Sequence, residues 1–232
     1  MTASIGWARW RAIGGVLFAV LFIVGIILGN VLASAPFPRP PTSNAEIVRY
    51  FAESRTAVLT RGLFFVLSAL SLFAFASCVA AFVRRILGER DTLSRLTWSG
   101  GALAAVFLLL SALIAWVLTL VAGGGDPALA GTLRRISFLA GGPIHVPLLG
   151  LFVGASSMVT LRTKALPRWI IWLGIVAAAL SLLSVISLVW FPASVLLPLG
   201  RLLVFVWSIA VGIVLVRGEV RMENTHAEEM MG

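Results

Sequence analysis

The chain has 232 residues, of which 60% are hydrophobic and only 12% are charged, and its mean hydropathy is +1.05. A soluble domain carries roughly a quarter charged residues, so this composition excludes a soluble fold, which could not hide so much apolar side chain from water. The formal net charge of +9 would suggest nucleic-acid binding in a soluble protein. Here the basic residues fall at the ends of apolar runs and in short connections, so we expect no nucleic-acid partner.

Six apolar runs approach or exceed the roughly 20 residues that cross a bilayer core of about 30 Å as a helix. They lack the alternation of a β-barrel, and helices satisfy their own backbone hydrogen bonds in hydrocarbon. The sequence therefore predicts an all-α, polytopic membrane helix bundle with six transmembrane helices and one amphipathic outer-loop helix. The predicted spans, which together make one transmembrane domain over 1–217, are about 11–34, 61–83, 96–121, 138–161, 168–190 and 197–216.

The outer loop 35–60 opens with four prolines, which hold the chain extended as it leaves the bilayer. Ser43 and Glu46 then match a capping box, which starts a helix. Apolar residues recur on one face of 44–57, so we predict an amphipathic helix there: a lid packed on the bundle, an interfacial anchor, or a helix that binds a substrate or partner. The last residues, 218–232, are polar, and we expect a short disordered cytoplasmic tail.

Lysine and arginine are unequally divided between the two sides of the predicted bundle. Eleven lie on the side of the chain termini and seven on the other. By the positive-inside rule this excess places both termini in the cytoplasm. The seven on the minority side are Arg39, Arg49, Arg55, Arg61, Arg134, Arg135 and Arg201.

The first span contains Gly25-Ile-Ile-Leu-Gly29, which has the small-x-x-x-small spacing of closely packed membrane helices. This spacing has two interpretations. Gly25 and Gly29 pack against another span of the same chain, or they form a homo-oligomer contact.

The positions of the acidic residues and histidines exclude several function classes. All nine acidic residues lie outside the predicted spans, whereas cation-coupled transporters place carboxylates within the membrane. Of the two histidines, only His145 lies in a predicted span, because His226 is in the tail, so the sequence offers neither a zinc-ligand cluster nor the two in-span histidines that hold a haem between helices. We expect no metal, no cofactor and no catalytic residues, although a serine hydrolase using His145 as its base stays open.

One candidate site remains, around two polar residues at similar depth near the outer ends of spans 4 and 6. His145 follows Gly141-Gly142-Pro143, which loosens the helix, and Arg201 follows Pro198-Leu-Gly. An ionisable group within the membrane is by default a functional-site hypothesis. We predict an outward-facing basic pocket that suits a lipid headgroup, a carboxylate or another anion. The alternative is that Arg201 extends to the headgroups while His145 binds a freed carbonyl.

The predicted pocket also includes two arginines at its rim and two glutamates of the loop helix as counter-ions or lid. The full predicted ligand-binding set is His145, Arg201, Arg134, Arg135, Glu46 and Glu53.

Three stretches carry a resemblance to a known kind of protein: Gly141-Gly-Pro through Gly150, Ala165-Leu-Pro-Arg-Trp through Gly174, and Leu197-Pro-Leu-Gly-Arg201 with Trp207. Together with the proline-rich first outer loop and its helix, they resemble uncharacterised six-span bacterial integral membrane proteins of the domain-of-unknown-function type. The resemblance implies a multi-pass protein of the bacterial plasma membrane and transfers no activity.

The sequence favours a non-catalytic accessory or regulatory helix bundle in contact with the lipid bilayer. The alternative function is a binding or transport module for an anionic or amphiphilic small molecule or lipid, through the pocket at His145 and Arg201. The two differ in that only the second requires an occluded polar cavity.

Overall fold

The computed structural model describes residues 2–38, 42–88, 90–124 and 126–217, with side chains from Ala12 onward. These residues are almost entirely helical and form no strand, which confirms the predicted all-α bundle. The predicted tail, 218–232, lies outside the described residues.

The described residues form eight α-helices, which are joined by one π-helical turn and two 3-10 turns. In chain order these elements are α1 (Thr2–Val31), α2 (Asn44–Glu53), α3 (Arg55–Leu87), α4 (Thr92–Gly124), α5 (Pro127–Leu139), the π turn (Ala140–Ile144), α6 (His145–Thr163), α7 (Arg168–Leu183), the 3-10 turns (Ser184–Leu188 and Phe191–Val195) and α8 (Leu196–Arg217). Six segments are long and apolar enough to cross a membrane: Ala12–Val31, Arg55–Leu87, Thr92–Gly124, Pro127–Thr163, Arg168–Leu188 and Phe191–Arg217.

The fourth span starts well before the predicted residue 138. Its helix begins at Pro127, where the Asp126 side chain accepts hydrogen bonds from the N–H groups of Ala128 (3.0 Å) and Leu129 (3.1 Å). Asp at the N-cap with Pro at the first helical position is a favoured start. The path from Pro127 to Thr163 has 37 residues, which is longer than one bilayer core requires. α5 therefore carries polar residues such as Arg134 down into the bundle.

The loop helix α2 packs on the bundle as a lid. Its predicted capping box is present: the Ser43 side chain accepts from the Glu46 N–H at 3.4 Å, and the Glu46 carboxylate accepts from the Ser43 N–H at 3.3 Å. Ile47, Tyr50 and Phe51 are buried in an apolar cluster with residues of α3, α4 and α5. The helix ends at Glu53 rather than 57, and α3 begins directly after Ser54.

The six spans return the chain to the end from which it started. We call this end, where α1 starts and α8 ends, the terminal end, and we call the opposite end the α2 end. The halves of the bundle next to these ends are the terminal half and the α2 half. In the terminal half α1 and α8 are in backbone contact, because a Cβ on Gly15 would overlap the Ser208 carbonyl and one on Gly212 would lie 2.8 Å from the Ala12 oxygen.

The centre of the bundle is filled by large aromatic side chains. Phe75, Phe152 and Trp207 meet edge to face, with ring centroids 5.7 to 6.2 Å apart. All three rings are fully buried, so the centre of the bundle is closely packed.

Candidate functional site

The α2 half of the bundle contains a cavity of about 970 Å³. Its walls come from α1, α3, α4, α5 with the π turn, and the segment 191–201, and Phe37 of the outer loop covers part of it. Most of the lining side chains are aliphatic or aromatic. The cavity is therefore an apolar chamber with a few polar groups, which is the usual composition of a small-molecule site.

The π turn and α4 fix one wall of the cavity. Pro143 has no N–H to donate within the helix, and the wider π turn accommodates it. A Cβ on Gly141 would overlap the Ser111 side chain, so glycine allows α4 to approach the turn. Ser111 Oγ donates to the Ser137 carbonyl at 2.8 Å, and Ser137 Oγ donates to the Ser111 carbonyl at 3.0 Å. These reciprocal bonds join α4 to α5 at the wall.

Three arginines from three different helices line the same cavity. Arg61 comes from α3, Arg134 from α5 and Arg201 from α8. Each guanidinium carries five N–H donors and a full positive charge. Among the described residues that line the cavity there is no aspartate or glutamate. The chamber therefore holds three cations and, in the part of the chain described, no lining anion.

The hydrogen-bond acceptors that these arginines find in the protein are neutral. Each guanidinium also has a buried Nε with no hydrogen-bond partner among the described residues. The acceptors are Asn30 Oδ1 for Arg61 Nη2 (2.6 Å), the Pro38 carbonyl for Arg134 Nη2 (2.9 Å) and the Gly141 carbonyl for Arg201 Nη2.

Aromatic rings provide further neutral contacts for the same groups. The Cζ atoms of Arg61 and Arg134 lie 4.3 and 4.8 Å from the centroid of the Phe37 ring. Arg201 Cζ lies 4.8 Å from the Phe22 centroid. Cation–π contacts stabilise a guanidinium by roughly 0.5 to 2 kcal/mol but leave its charge in place. Arg61 and Arg134, which share the Phe37 ring, repel each other, and a bound anion would relieve that repulsion.

Tyr50 of the lid supplies no balancing negative charge. Burial raises the pKa of its hydroxyl above the usual value, and the nearby charges of Arg61 and Arg134 oppose that rise in part. The phenol is therefore neutral at physiological pH.

His145 lies beside the cavity but is not among its lining side chains. It is fully buried, and its Nδ1 donates to the Ala104 carbonyl of α4 at 2.8 Å. Its Nε2 has no hydrogen-bond partner among the described residues. The side chain ties α6 to α4 just below the π turn that accepts the Arg201 hydrogen bond.

The remaining predicted site residues lie outside the large cavity. Arg135 is exposed and lines, with Arg134, a smaller cavity of about 220 Å³ between α2 and α5. Glu46 is held in the capping box, and Glu53 is exposed at the end of α2. The structure thus places Arg134 and Arg201 in the lining of the large cavity and leaves Arg135 and both glutamates out of that lining.

Arg61 is the cavity arginine that the sequence analysis does not assign to the site. The predicted second span begins at residue 61, so this arginine counts there as an edge charge, whereas α3 begins six residues earlier at Arg55. Its position depends on Gly29 of α1, where a Cβ would lie 2.5 Å from Arg61 Nε. The sequence pattern that could have identified Arg61 is a small residue on one span that pairs with an arginine within the next span.

The two glycines of the first-span pattern pack against another helix of the same chain. Gly25 lies against Phe64 and Gly29 lies against Arg61, both on α3. A homo-oligomer through Gly25 and Gly29 would have to form alongside this packing, and it stays a prediction.

No protein-family model, no curated protein and no solved structure matches this chain. The functional argument therefore depends on the geometry of the site.

Proposed function

We propose that this membrane protein binds an anionic amphiphile in the cavity lined by Arg61, Arg134 and Arg201. The observation that carries the proposal is the combination of three cations with neutral protein partners and an otherwise apolar chamber. The guanidinium groups would bind the anionic head through charge-assisted hydrogen bonds. The aliphatic and aromatic walls would contact the apolar part of the same molecule.

The described geometry also supports our proposed orientation, with both termini in the cytoplasm of a bacterial cell. Three of the seven basic residues on the α2 side line the cavity, and they do not act as free loop charges. The loops there then carry four basic residues against eleven on the terminal side, which makes the positive-inside bias clearer. In this orientation the cavity lies in the outer leaflet.

A non-catalytic accessory or regulatory role is compatible with ligand binding. A helix bundle that holds a lipid or an anionic amphiphile can present it to a partner, or change its own packing on binding, without any chemical step.

The proposal is tested by comparing an anionic and a neutral ligand with the same chain. Purified full-length protein in neutral detergent is titrated with dodecyl phosphate and with dodecanol, and binding is followed by native mass spectrometry. We expect dodecyl phosphate to bind at least tenfold more tightly. Replacing Arg61, Arg134 or Arg201 by glutamine should each raise its Kd about tenfold or more, which corresponds to about 1.4 kcal/mol or more.

Two arginines near the cavity provide matched controls. Arg55 lies on the same helix as Arg61, and Arg135 follows Arg134, yet both side chains are exposed and neither lines the large cavity. Arg55→Gln and Arg135→Gln should change the Kd less than threefold. Equal losses in the controls and the cavity variants would mean that net charge alone attracts the ligand, and the proposal would be wrong.

A further inference from the structure

The exposed lining residues of the large cavity come from only two of the described segments of the chain. Most of the lining side chains are buried or half-buried, but six are exposed to the surroundings of the protein. Two of the six belong to α1 and four to the segment 191–198. They are Ile26, Asn30, Phe191, Pro192, Val195 and Pro198. The chamber therefore opens between α1 and this segment.

The paths of the two helices explain why an opening forms there. α1 and α8 are in backbone contact in the terminal half, at Gly15 and Gly212. Nearer the α2 end they meet through side chains, with Phe22 against Phe205 and Arg201. Beyond that point α1 makes hardly any contact with the 3-10 turn Phe191–Val195. The gap lies within the candidate membrane spans Ala12–Val31 and Phe191–Arg217, so in a bilayer it would face lipid.

The side of the cavity toward the α2 end is covered by protein. Phe37 contacts Arg61 and Arg134 and packs edge to face on Tyr50, with ring centroids 5.5 Å apart. The next residue, Pro38, accepts a hydrogen bond from Arg134 through its carbonyl. Ser34 holds the start of this segment through a hydrogen bond of 2.8 Å to Ser54. A ligand that enters from the bilayer meets an apolar opening, whereas one that enters from water meets this covered side.

The number and arrangement of the cations indicate the kind of headgroup. A phosphate monoester carries a charge of about −1.5 to −2 at pH 7 and three strong acceptor oxygens. Three guanidinium groups from three helices match that charge and number of oxygens better than they match a carboxylate, which has one charge and two oxygens.

We propose that the ligand is a lipid with a phosphate monoester head and a long apolar chain, which enters from the surrounding leaflet through the side opening between α1 and residues 191–198. This inference rests on the proposed function. The head lies at the three arginines, and the chain leaves the chamber between Ile26 and Val195 into the bilayer.

Blocking the opening tests the route. In full-length protein, Ile26→Trp and Val195→Trp place a bulky ring at the opening, while Ile27→Trp and Leu199→Trp place one at neighbouring exposed positions that do not line the cavity. The probes are hexadecyl phosphate and butyl phosphate, added to protein in nanodiscs of neutral lipid. We expect the two blocking variants to raise the Kd of hexadecyl phosphate at least tenfold. The control variants should change it less than threefold, and binding of butyl phosphate should be retained in all four.

Photolabelling tests where the chain lies. Hexadecyl phosphate and hexadecanol with a diazirine at the middle of the chain are compared in the same nanodiscs. The phosphate should label Ile26, Phe191 and Val195 at least fivefold more than the alcohol does. Both should label Leu120, an exposed residue of α4 away from the cavity, equally. Arg201→Gln should abolish the excess labelling at the opening.

The outcomes separate this inference from the proposed function. If binding depends on the arginines but not on chain length or on the opening variants, the anion site stands and the lipid route is wrong. If excess label appears on residues of α2 instead, the chain leaves by the covered side and the route is likewise wrong. If no phosphate ester binds in an arginine-dependent way, the proposed function itself fails. If carboxylates of the same chain length bind as tightly as the phosphates, the assignment of the headgroup is wrong.

Discussion

The terminal half and the α2 half of the bundle are built from the same helices but packed in opposite ways. In the terminal half, glycines at 15 and 212 allow α1 and α8 to touch, and interlocked aromatic rings fill the centre. In the α2 half the same two helices separate around a cavity of about 970 Å³ that holds three arginines. α1 and α8 are therefore in close contact at one end of the bundle and separated around a candidate site at the other.

The packing of helices in lipid explains why the two halves of the bundle can differ in stability. Lipid tails are as apolar as leucine, so membrane helices associate through close backbone packing and hydrogen bonds rather than through the hydrophobic effect. A cavity removes such packing and buried arginines cost desolvation energy, so both features weaken the α2 half. The compact terminal half is expected to supply the stability that the α2 half lacks.

The largest effect is expected from breaking the tight contact in the terminal half. Gly15→Leu should lower the free energy of unfolding by about 3 kcal/mol, because the new side chain overlaps the Ser208 carbonyl and the ring of Phe75. The measurement is unfolding of the purified protein in mixed neutral detergent and dodecyl sulfate.

Gly123→Leu is the matched control for this substitution. Gly123 is also helical, but a Cβ there meets nothing within 4 Å among the described residues. Its stability should equal or slightly exceed that of the wild type. If both variants unfold alike, close packing in the terminal half does not hold the bundle together.

A smaller effect is expected at His145, which lies at the boundary between the two halves. His145→Leu removes its hydrogen bond to the Ala104 carbonyl and should lower the free energy of unfolding by about 1 kcal/mol. Because the side chain does not line the cavity, the Kd for dodecyl phosphate should change less than threefold. A loss of binding comparable to that of Arg201→Gln, with stability unchanged, would make His145 a ligand-binding residue.

The architecture could be predicted from the sequence because it depends on local composition. Six apolar runs of sufficient length fix six spans whatever their tertiary contacts, and the Ser43 to Glu46 capping box starts α2 through contacts within one turn. The same capping box could have removed Glu46 from the predicted site, since a carboxylate that caps its own helix is already engaged.

The candidate site could be predicted only in part because it depends on packing between distant segments. Arg134 and Arg201 stood out, the first beside a predicted span and the second within one near Gly and Pro. Arg61 was missed since its place is set by Gly29, a residue 32 positions earlier on another helix. His145 was assigned to the cavity from its depth and from the loosened helix before it, and neither feature says towards which neighbour a side chain points.

The smallest stability effect is expected at Arg61, one of the three cavity arginines. Arg61→Met, measured in neutral detergent without ligand, should change the free energy of unfolding by less than about 1 kcal/mol, because relief of the repulsion between Arg61 and Arg134 offsets the lost hydrogen bond to Asn30. The same variant should lose the stabilisation that 1 mM dodecyl phosphate gives the wild type. Gly15→Leu should show the reverse pattern, with low stability but a normal gain on adding the phosphate. If Arg61→Met instead unfolds as readily as Gly15→Leu, the arginines hold the α2 half together, and the separation of a stabilising half from a binding half is wrong.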